Sequence, residues 1–521
     1  MTTVVLWLFI VVGTCYSVLC SEDHLRDMDS FISAVEQAEE SNPDLSPLAL
    51  VRRLRRTAGH EDPLTLHFLG ASNNISHTHT FVFNTTLFGF FDKAIHHFVT
   101  DRGEERGVVL TQDGTTVAIA PMLLGIEVGL KAKLEGTPPL GMFPLTLAKN
   151  LGLSFLSLQD FPPAQRLGPD GCWDNVTHPR VFQLSRVPTL ATDALVNGGM
   201  DGSILGMDLA TLAPSKQPGK LSKVLKGYYN HVLEGQDLGV VSSHISPKRR
   251  EIAQALLGTL DTQRQVMETL YLVWRLEDTQ WIAKDTGVEK AVRDGMLEFV
   301  HRYWDCPTII PRCQWGAAPY RGSPFPLALP LPFLYIHHTY EPNRPCHSFR
   351  QCSRSMRAMQ RFHQEDRGWA DIGYSFVVGS DGYIYEGRGW HHLGTHTRGQ
   401  NSYGYGVAFI GNYSSSLPSR HALDLVRQHL AKCAVDGGRL QANFTLHGHR
   451  QLVDTSCPGD ALYSEIRGWE HFGVRDCSVF LATIPSVNVK CILLIYTQSK
   501  GHHSCTRTLL SHNTIVPFFL H

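Results

Sequence analysis

Leu446-His447-Gly448-His449-Arg450, followed by Thr455-Ser456-Cys457-Pro458-Gly459, concentrates more metal-ligand chemistry than any other short stretch of this chain. Imidazole and thiolate are ligands that zinc prefers. Two of them from one strand-and-loop unit need one more from elsewhere to leave an open fourth position for water. Ile336-His337-His338-Thr339 is the place to look for it. Side chains alternate faces along a strand, so His337 and His338 cannot both point into one site. One is a ligand candidate and the other a structural neighbour, and His447 and His449 stand as alternatives beside Cys457 in the same way.

The surroundings of these residues read as short apolar strands separated by turn signals and amphipathic helices. Residues 333–339 read as a buried strand, and 348–365 as a helix with Phe349, Cys352, Met356, Met359 and Phe362 along one face. Residues 372–378 and 383–388 flank Ser380-Asp381-Gly382, a hairpin signal. Residues 405–411 form another strand. Ser419 can cap a helix that turns Leu423, Val426, Leu430 and Cys433 inward, with Gly437 suited to the left-handed conformation at its end. A strand over 444–449 and a short helix over 460–466 complete the pattern. Strands and helices interspersed over 305–475 predict an α/β domain with a central mixed β-sheet flanked by helices.

Upstream, residues 21–304 show helical periodicity without a chemical motif and predict a largely helical N-terminal region. Its clearest stretch, 251–304, repeats Ile252, Leu256, Leu260, Val266, Leu270, Val273 and Leu276 as expected core. Leu48, Val51 and Leu54 beside Arg52, Arg53, Arg55 and Arg56 suggest a basic amphipathic helix, read as a solvated face in preference to a membrane-surface one. Residues 136–144 and 162–171 read as loops. The tail, 476–521, holds no uninterrupted apolar run of membrane-spanning length.

At 521 residues the chain is too long for one core. Its 43% hydrophobic and 18% charged residues, with a formal net charge of -1, describe ordinary globular protein and exclude the basic excess of a nucleic-acid binder. An apolar run over 4–12 ends at Ser21-Glu22-Asp23, which reads as a signal peptide over 1–20 and hence a secreted protein. The run lacks a preceding Lys or Arg, so an uncleaved anchor is the alternative. Sequons at Asn74, Asn84, Asn175, Asn412 and Asn443 fit export as glycosylation sites. Twelve cysteines suit an oxidising compartment.

Trp315-Gly316-Ala317, Ile336-His337-His338-Thr339, Asp371-Ile372-Gly373-Tyr374-Ser375-Phe376, Glu386-Gly387-Arg388-Gly389-Trp390, Gly394-Thr395-His396-Thr397, 404–413 and Gly448-His449-Arg450 together resemble the peptidoglycan recognition proteins, a family related to phage-type zinc amidases. The resemblance implies Zn2+ held by His337, His449 and Cys457. It implies catalytic assistance from Tyr374 and Thr455, although related phage enzymes carry lysine at the latter position. It places Gly368, Trp369, Arg388 and His396 against substrate, and pairs Cys346 with Cys352 and Cys306 with Cys433 as disulfides. Cys313 is left without a named partner. His391 and His392, with His396, form a histidine cluster expected to line the groove.

The implied partners are bacterial peptidoglycan and muramyl peptides, and the implied reaction is hydrolysis of the amide between N-acetylmuramic acid and L-alanine in innate immunity. Stems containing diaminopimelate are expected to be preferred. The alternative is a non-catalytic peptidoglycan-binding receptor. Such relatives typically replace the cysteine ligand, often by serine, so Cys457 favours the enzyme. The chain has no G-x-S-x-G elbow and no H-E-x-x-H motif to suggest another hydrolase.

Overall fold

The computed structural model describes residues 26–58, 62–69, 108–138, 144–161, 191–213, 219–229, 245–277 and 287–473, isolated residues among 166–179 and at 216, and the backbone of four short strands within 497–517. The apolar leader and the sequons at Asn74, Asn84 and Asn175 lie outside the described residues.

Among the described residues the hydrophobic clusters fall into two bodies that follow one another along the chain. The first runs from Met28 to Trp304 and is mainly helical. Its helices Ile119–Glu135 and Asp193–Ala210 pack face to face. A small sheet, absent from the sequence reading, joins β1 (Arg26–Asp27), β2 (Val108–Leu110) and β3 (Thr116–Ala118). The helix Pro47–Ala58 is not a free basic face: Arg55 is buried, and Arg52 and Arg55 both pair with the buried Glu127, at 2.9 and 2.5 Å. Leu256 and Leu260, expected in the core, are exposed by 37% and 81%. They flank Gly258, whose φ of 54° ends one helix at Leu257 before the next begins at Thr259.

The second core surrounds a six-stranded mixed sheet in the order β4-β7-β6-β8-β5-β9. Its strands are β4 (Ile309–Ile310), β5 (Leu331–His338), β6 (Phe376–Val378), β7 (Ile384–Glu386), β8 (Gly404–Phe409) and β9 (Leu440–Gly448). The β6–β7 hairpin is the antiparallel pair; the other pairings are parallel. Strand alternation divides the apolar residues between the two faces: Phe376 and Val378 pack with Val426, Leu462 and Ile466, while Val377 packs with Met356, Met359 and Ile372. Burying both faces fits strands that read as nearly continuous apolar runs.

The helix Phe349–Arg361 is capped by Ser348, whose side chain accepts from Gln351 N. It buries Cys352, Met356 and Met359, but Phe362, expected inward, is 46% exposed beneath Arg367. The left-handed residue after the helix near 436 is Gly438, with φ 66°, and not Gly437, with φ −81°.

The two halves meet through polar contacts. Tyr320 N donates to Val176 O at 2.8 Å, and Gln314 Nε2 to Thr116 Oγ1 at 3.4 Å. Cys306, just past the first core, is disulfide-bonded to Cys433, and Cys346 is bonded to Cys352. Cys313 is also disulfide-bonded. No described helix is long and apolar enough to cross a membrane.

Candidate metal centre and groove

β5 runs between β8 and β9, and its last two residues are His337 and His338. The β5–β9 register sets Ile336 against Gly448, so the next residue on each side is a histidine, His337 and His449. Their ring centroids lie 4.4 Å apart. After β9 the chain makes one tight turn at His449–Gln451 and returns, with Arg450 N donating to Cys457 O at 2.9 Å. Cys457 N donates to Thr455 Oγ1 at 3.2 Å, so the Thr455 hydroxyl shapes the turn that presents the thiol. One donor atom from each of His337, His449 and Cys457 lies within 4.8 Å of the others.

His337 Nδ1 stands 3.7 Å from Cys457 Sγ and therefore faces the shared point. His338 has its own place: its Nδ1 accepts from Tyr413 N at 3.1 Å, and its backbone N donates to Cys457 Sγ at 3.4 Å. His447 lies outside the group, its ring tilted against Phe333.

Burial dominates the electrostatics. It holds His337 well below the usual imidazole range, with His449, His396 and His338 adding to the effect, and it lowers His449 to about 4. Both imidazoles are neutral near pH 7 and offer lone pairs. Burial pushes the Cys457 thiol up to about 12, against the smaller lowering effects of the His338 N–H and Arg450. Cys457 is the only free cysteine among the described residues. Two neutral imidazoles and one unbridged thiol, converging below the surface, are a donor set that suits zinc.

From His337 a row of buried and half-buried rings leads away. Tyr374 lies 5.5 Å from it, His363 5.8 Å from Tyr374, and Trp369 stacks on His363 at 4.7 Å. Burial, and then Cys457, raise the Tyr374 hydroxyl above the usual phenol range, so it remains a donor. Gly368, at φ 68°, turns the chain into Trp369, whose N donates to His363 O at 2.9 Å. His396 closes the other side of His337, with ring centroids 5.4 Å apart. His391 and His392 do not join it. His391 lines a separate cavity of about 1120 Å³ between the two halves, and His392 bridges to Pro326.

Arg388 sits behind this row. It is 4% exposed, its Nε donates to Ile372 O at 2.7 Å, its Nη1 to Leu393 O at 2.8 Å, and its guanidinium covers the Tyr320 ring. Sequence reasoning assigned no role to four supporting residues. Arg312 and Asp371 form a fully buried ion pair at 2.9 Å beneath the Tyr374 loop. His363 accepts from Gly373 N at 3.2 Å, and Thr397 touches both His337 and His396. A partner distant in sequence leaves no local pattern, although the position of His363 among the inward residues of its helix is such a signal in retrospect.

Residues 328–460, which run from the start of β5 past Cys457, match the family described as N-acetylmuramoyl-L-alanine amidase. The N-acetylmuramoyl-L-alanine amidase of Mus musculus is 39% identical over 505 residues, covering 85% of this chain and 94% of the relative. The chain belongs to this amidase family. A peptidoglycan-recognition protein of Holotrichia diomphalia is 42% identical to this family member over 170 residues, covering 33% of the chain and 84% of the relative. A solved structure of peptidoglycan recognition protein-LE in complex with tracheal cytotoxin is 42% identical, with a TM-score of 0.31, over 32% of this chain and 95% of that one. The mouse relative extends across both halves of this amidase, and the shorter relatives match about a third of it.

The amidase has a second histidine–cysteine group, His301 with Cys306 and Cys433. There the two sulfurs are bonded to each other, so they offer no thiolates.

Proposed function

We propose that this chain is a secreted, zinc-dependent N-acetylmuramoyl-L-alanine amidase that cleaves the amide between N-acetylmuramic acid and L-alanine in bacterial peptidoglycan, as part of innate immunity. The observation that carries the reading is Cys457, a buried free thiol grouped with the neutral imidazoles of His337 and His449. Thiolate ligation serves zinc chemistry, and peptidoglycan binding alone does not call for it.

His337, His449 and Cys457 would hold the ion, and no fourth protein ligand belongs to the group among the described residues. A zinc ion with three protein ligands polarises a bound carbonyl and lowers the pKa of a water in its open position. The remaining work falls to the chain itself. Tyr374, kept protonated by burial, donates a hydrogen bond to the scissile carbonyl oxygen as negative charge grows there. Thr455 keeps Cys457 in the turn that presents its sulfur. His396 and the row Tyr374, His363 and Trp369 hold the muramyl peptide on either side of the reacting bond, with Gly368 leaving the entrance open. Arg388 supports this loop and, where its remaining N–H groups reach the stem, favours the extra carboxylate of diaminopimelate.

Export is supported by the apolar leader and by disulfides at Cys306–Cys433 and Cys346–Cys352, which suit an oxidising compartment. Asn443 is exposed on β9, as a glycosylated asparagine must be. The division into an N-terminal region at 21–304 and an amidase domain at 305–475 is supported by the separate cores. The test is zinc stoichiometry of the purified chain together with release of peptide from a muramyl peptide. A chain that retains insoluble peptidoglycan but holds no zinc and releases no peptide would be a receptor.

A further inference from the structure

The hydroxyl of Thr397 stands between two imidazoles. Thr397 is fully buried, and its Oγ1 lies 3.4 Å from His337 Nε2 and 3.1 Å from His396 Nδ1. The hydroxyl has no other hydrogen-bond partner among the described residues. Asn401 fixes the loop, its Oδ1 accepting from His396 N at 2.9 Å and from Thr397 N at 2.7 Å. The His396 ring is wedged between Gly394 and Gly406, where an added Cβ would come within 2.4 and 2.3 Å of the imidazole. Flipping or swinging that ring is therefore blocked.

One hydroxyl proton shared between two partners allows two arrangements. In the first, His337 donates from Nε2 to Thr397 Oγ1, and the hydroxyl donates to His396 Nδ1. In the second, the hydroxyl donates to His337 Nε2, and His396 donates from Nδ1. A mixed arrangement either leaves the buried hydroxyl proton without an acceptor, when both rings donate, or leaves one imidazole lone pair facing the hydroxyl oxygen with no proton between them, when neither does. The second arrangement puts the His337 proton on Nδ1, the atom facing Cys457 and the shared point of the metal group. A metal there admits the first arrangement alone.

We infer that Thr397 is a positioning residue that locks His337 and His396 into one shared tautomeric state, so that metal binding at His337 Nδ1 fixes the His396 proton on Nε2. That nitrogen has no hydrogen-bond partner among the described residues, so the coupling prepares a donor beside the metal group. The inference rests on the zinc reading above and deepens it. Thr397 has the part that carboxylates or carbonyls commonly have behind metal-bound histidines, fixing tautomer and orientation, but here it spans two rings.

The test uses the full chain and two variants: Thr397→Val, which keeps the shape and removes the hydroxyl, and Thr397→Ser, which restores it. Zinc affinity is measured by chelator competition, independently of activity. Histidine-¹⁵N spectra with and without zinc report the tautomer of His396, its resonance assigned by its loss in His396→Gln. Thr397→Val is expected to bind zinc about 10- to 100-fold more weakly, with Thr397→Ser close to wild type. Zinc-loaded wild type is expected to show His396 protonated on Nε2, and Thr397→Val to lose the dependence of that signal on zinc. Wild type that binds no zinc would overturn the proposed function. Wild type that binds zinc while Thr397→Val binds it equally well, or while Thr397→Ser is as weak as Thr397→Val, would overturn the coupling alone.

Discussion

The Tyr383 hydroxyl donates to Asp113 Oδ2 at 2.5 Å, joining the β6–β7 hairpin to a residue 270 positions earlier in the helical half. Asp113 is buried. Burial alone would raise its carboxyl, but Arg249 and the hydroxyls of Thr111, Tyr383 and Thr115 outweigh it and hold the group below the usual carboxylate range. An ionised carboxylate at the junction depends on each of these donors. Tyr383→Phe removes one and is expected to destabilise the chain by about 1–3 kcal/mol. Urea unfolding of wild type, Tyr383→Phe, Asp113→Asn and the double variant gives the coupling directly. Strict additivity of the two changes would show that the halves do not communicate through this bond.

The candidate metal group is legible where chemistry is rare and the fold where geometry is strict. A Gly-His-Arg before a Cys-Pro-Gly and a His-His pair closing an apolar strand leave few alternatives to a metal group. Alternation along β5 separates His337 from His338, which is why one belongs to the group and the other bonds Tyr413. The helix Asp460–Ile466 and the 380–382 turn were also readable from local signals. The misses share one physical cause, dependence on residues far away or on phase. Leu256 and Leu260 fit a single periodic helix, but the chain breaks at Gly258 and the phase is lost. Arg55 looked like a surface charge because its partner, Glu127, lies 72 residues on. Arg312 with Asp371 escaped notice for the same reason.

Arg388→Ala is expected to do more than relax stem preference. Its guanidinium holds the carbonyls of Leu393 and of Ile372, two residues before Tyr374. Loss of these bonds should lower the melting temperature and reduce turnover of both diaminopimelate- and lysine-containing stems. Arg388→Lys cannot reach both carbonyls from one ammonium and should recover little. A preference role is read from the ratio of kcat/KM for the two stems. If that ratio is the same in wild type and Arg388→Ala while both rates fall, Arg388 supports the loop and does not select substrate.

Zinc uptake near pH 6 is expected to release about one proton, from Cys457. With its pKa near 12 the thiol is protonated, whereas His449, at about 4, and His337, lower than its usual value, have none to give. A ligand must be deprotonated to bind, so acid competes with zinc and apparent affinity should rise about tenfold per pH unit. Calorimetric titration in two buffers of different ionisation enthalpy counts the protons. A count near zero would mean that the thiol is not a ligand. A count of two or more would mean that the imidazoles are protonated before zinc arrives.

Cys457→Ser separates the enzyme from the receptor. Thiolate is a strong zinc ligand, whereas a serine hydroxyl is neutral and coordinates poorly, so the variant should lose the ion. Activity should then fall by orders of magnitude at neutral pH. The groove has other foundations: Tyr374 and Trp369 stand on the loop braced by Arg312 and Asp371, and His396 is held by Asn401 and its flanking glycines. None of these contacts passes through Cys457, so retention on insoluble peptidoglycan should survive. Bound zinc, peptide released from a muramyl peptide, and pull-down on peptidoglycan are measured for wild type and variant together. Wild type that is retained but releases nothing would leave a recognition protein. A variant as active as wild type would remove Cys457 from the metal group, and the thiol's burial beside two neutral imidazoles would then need another cause.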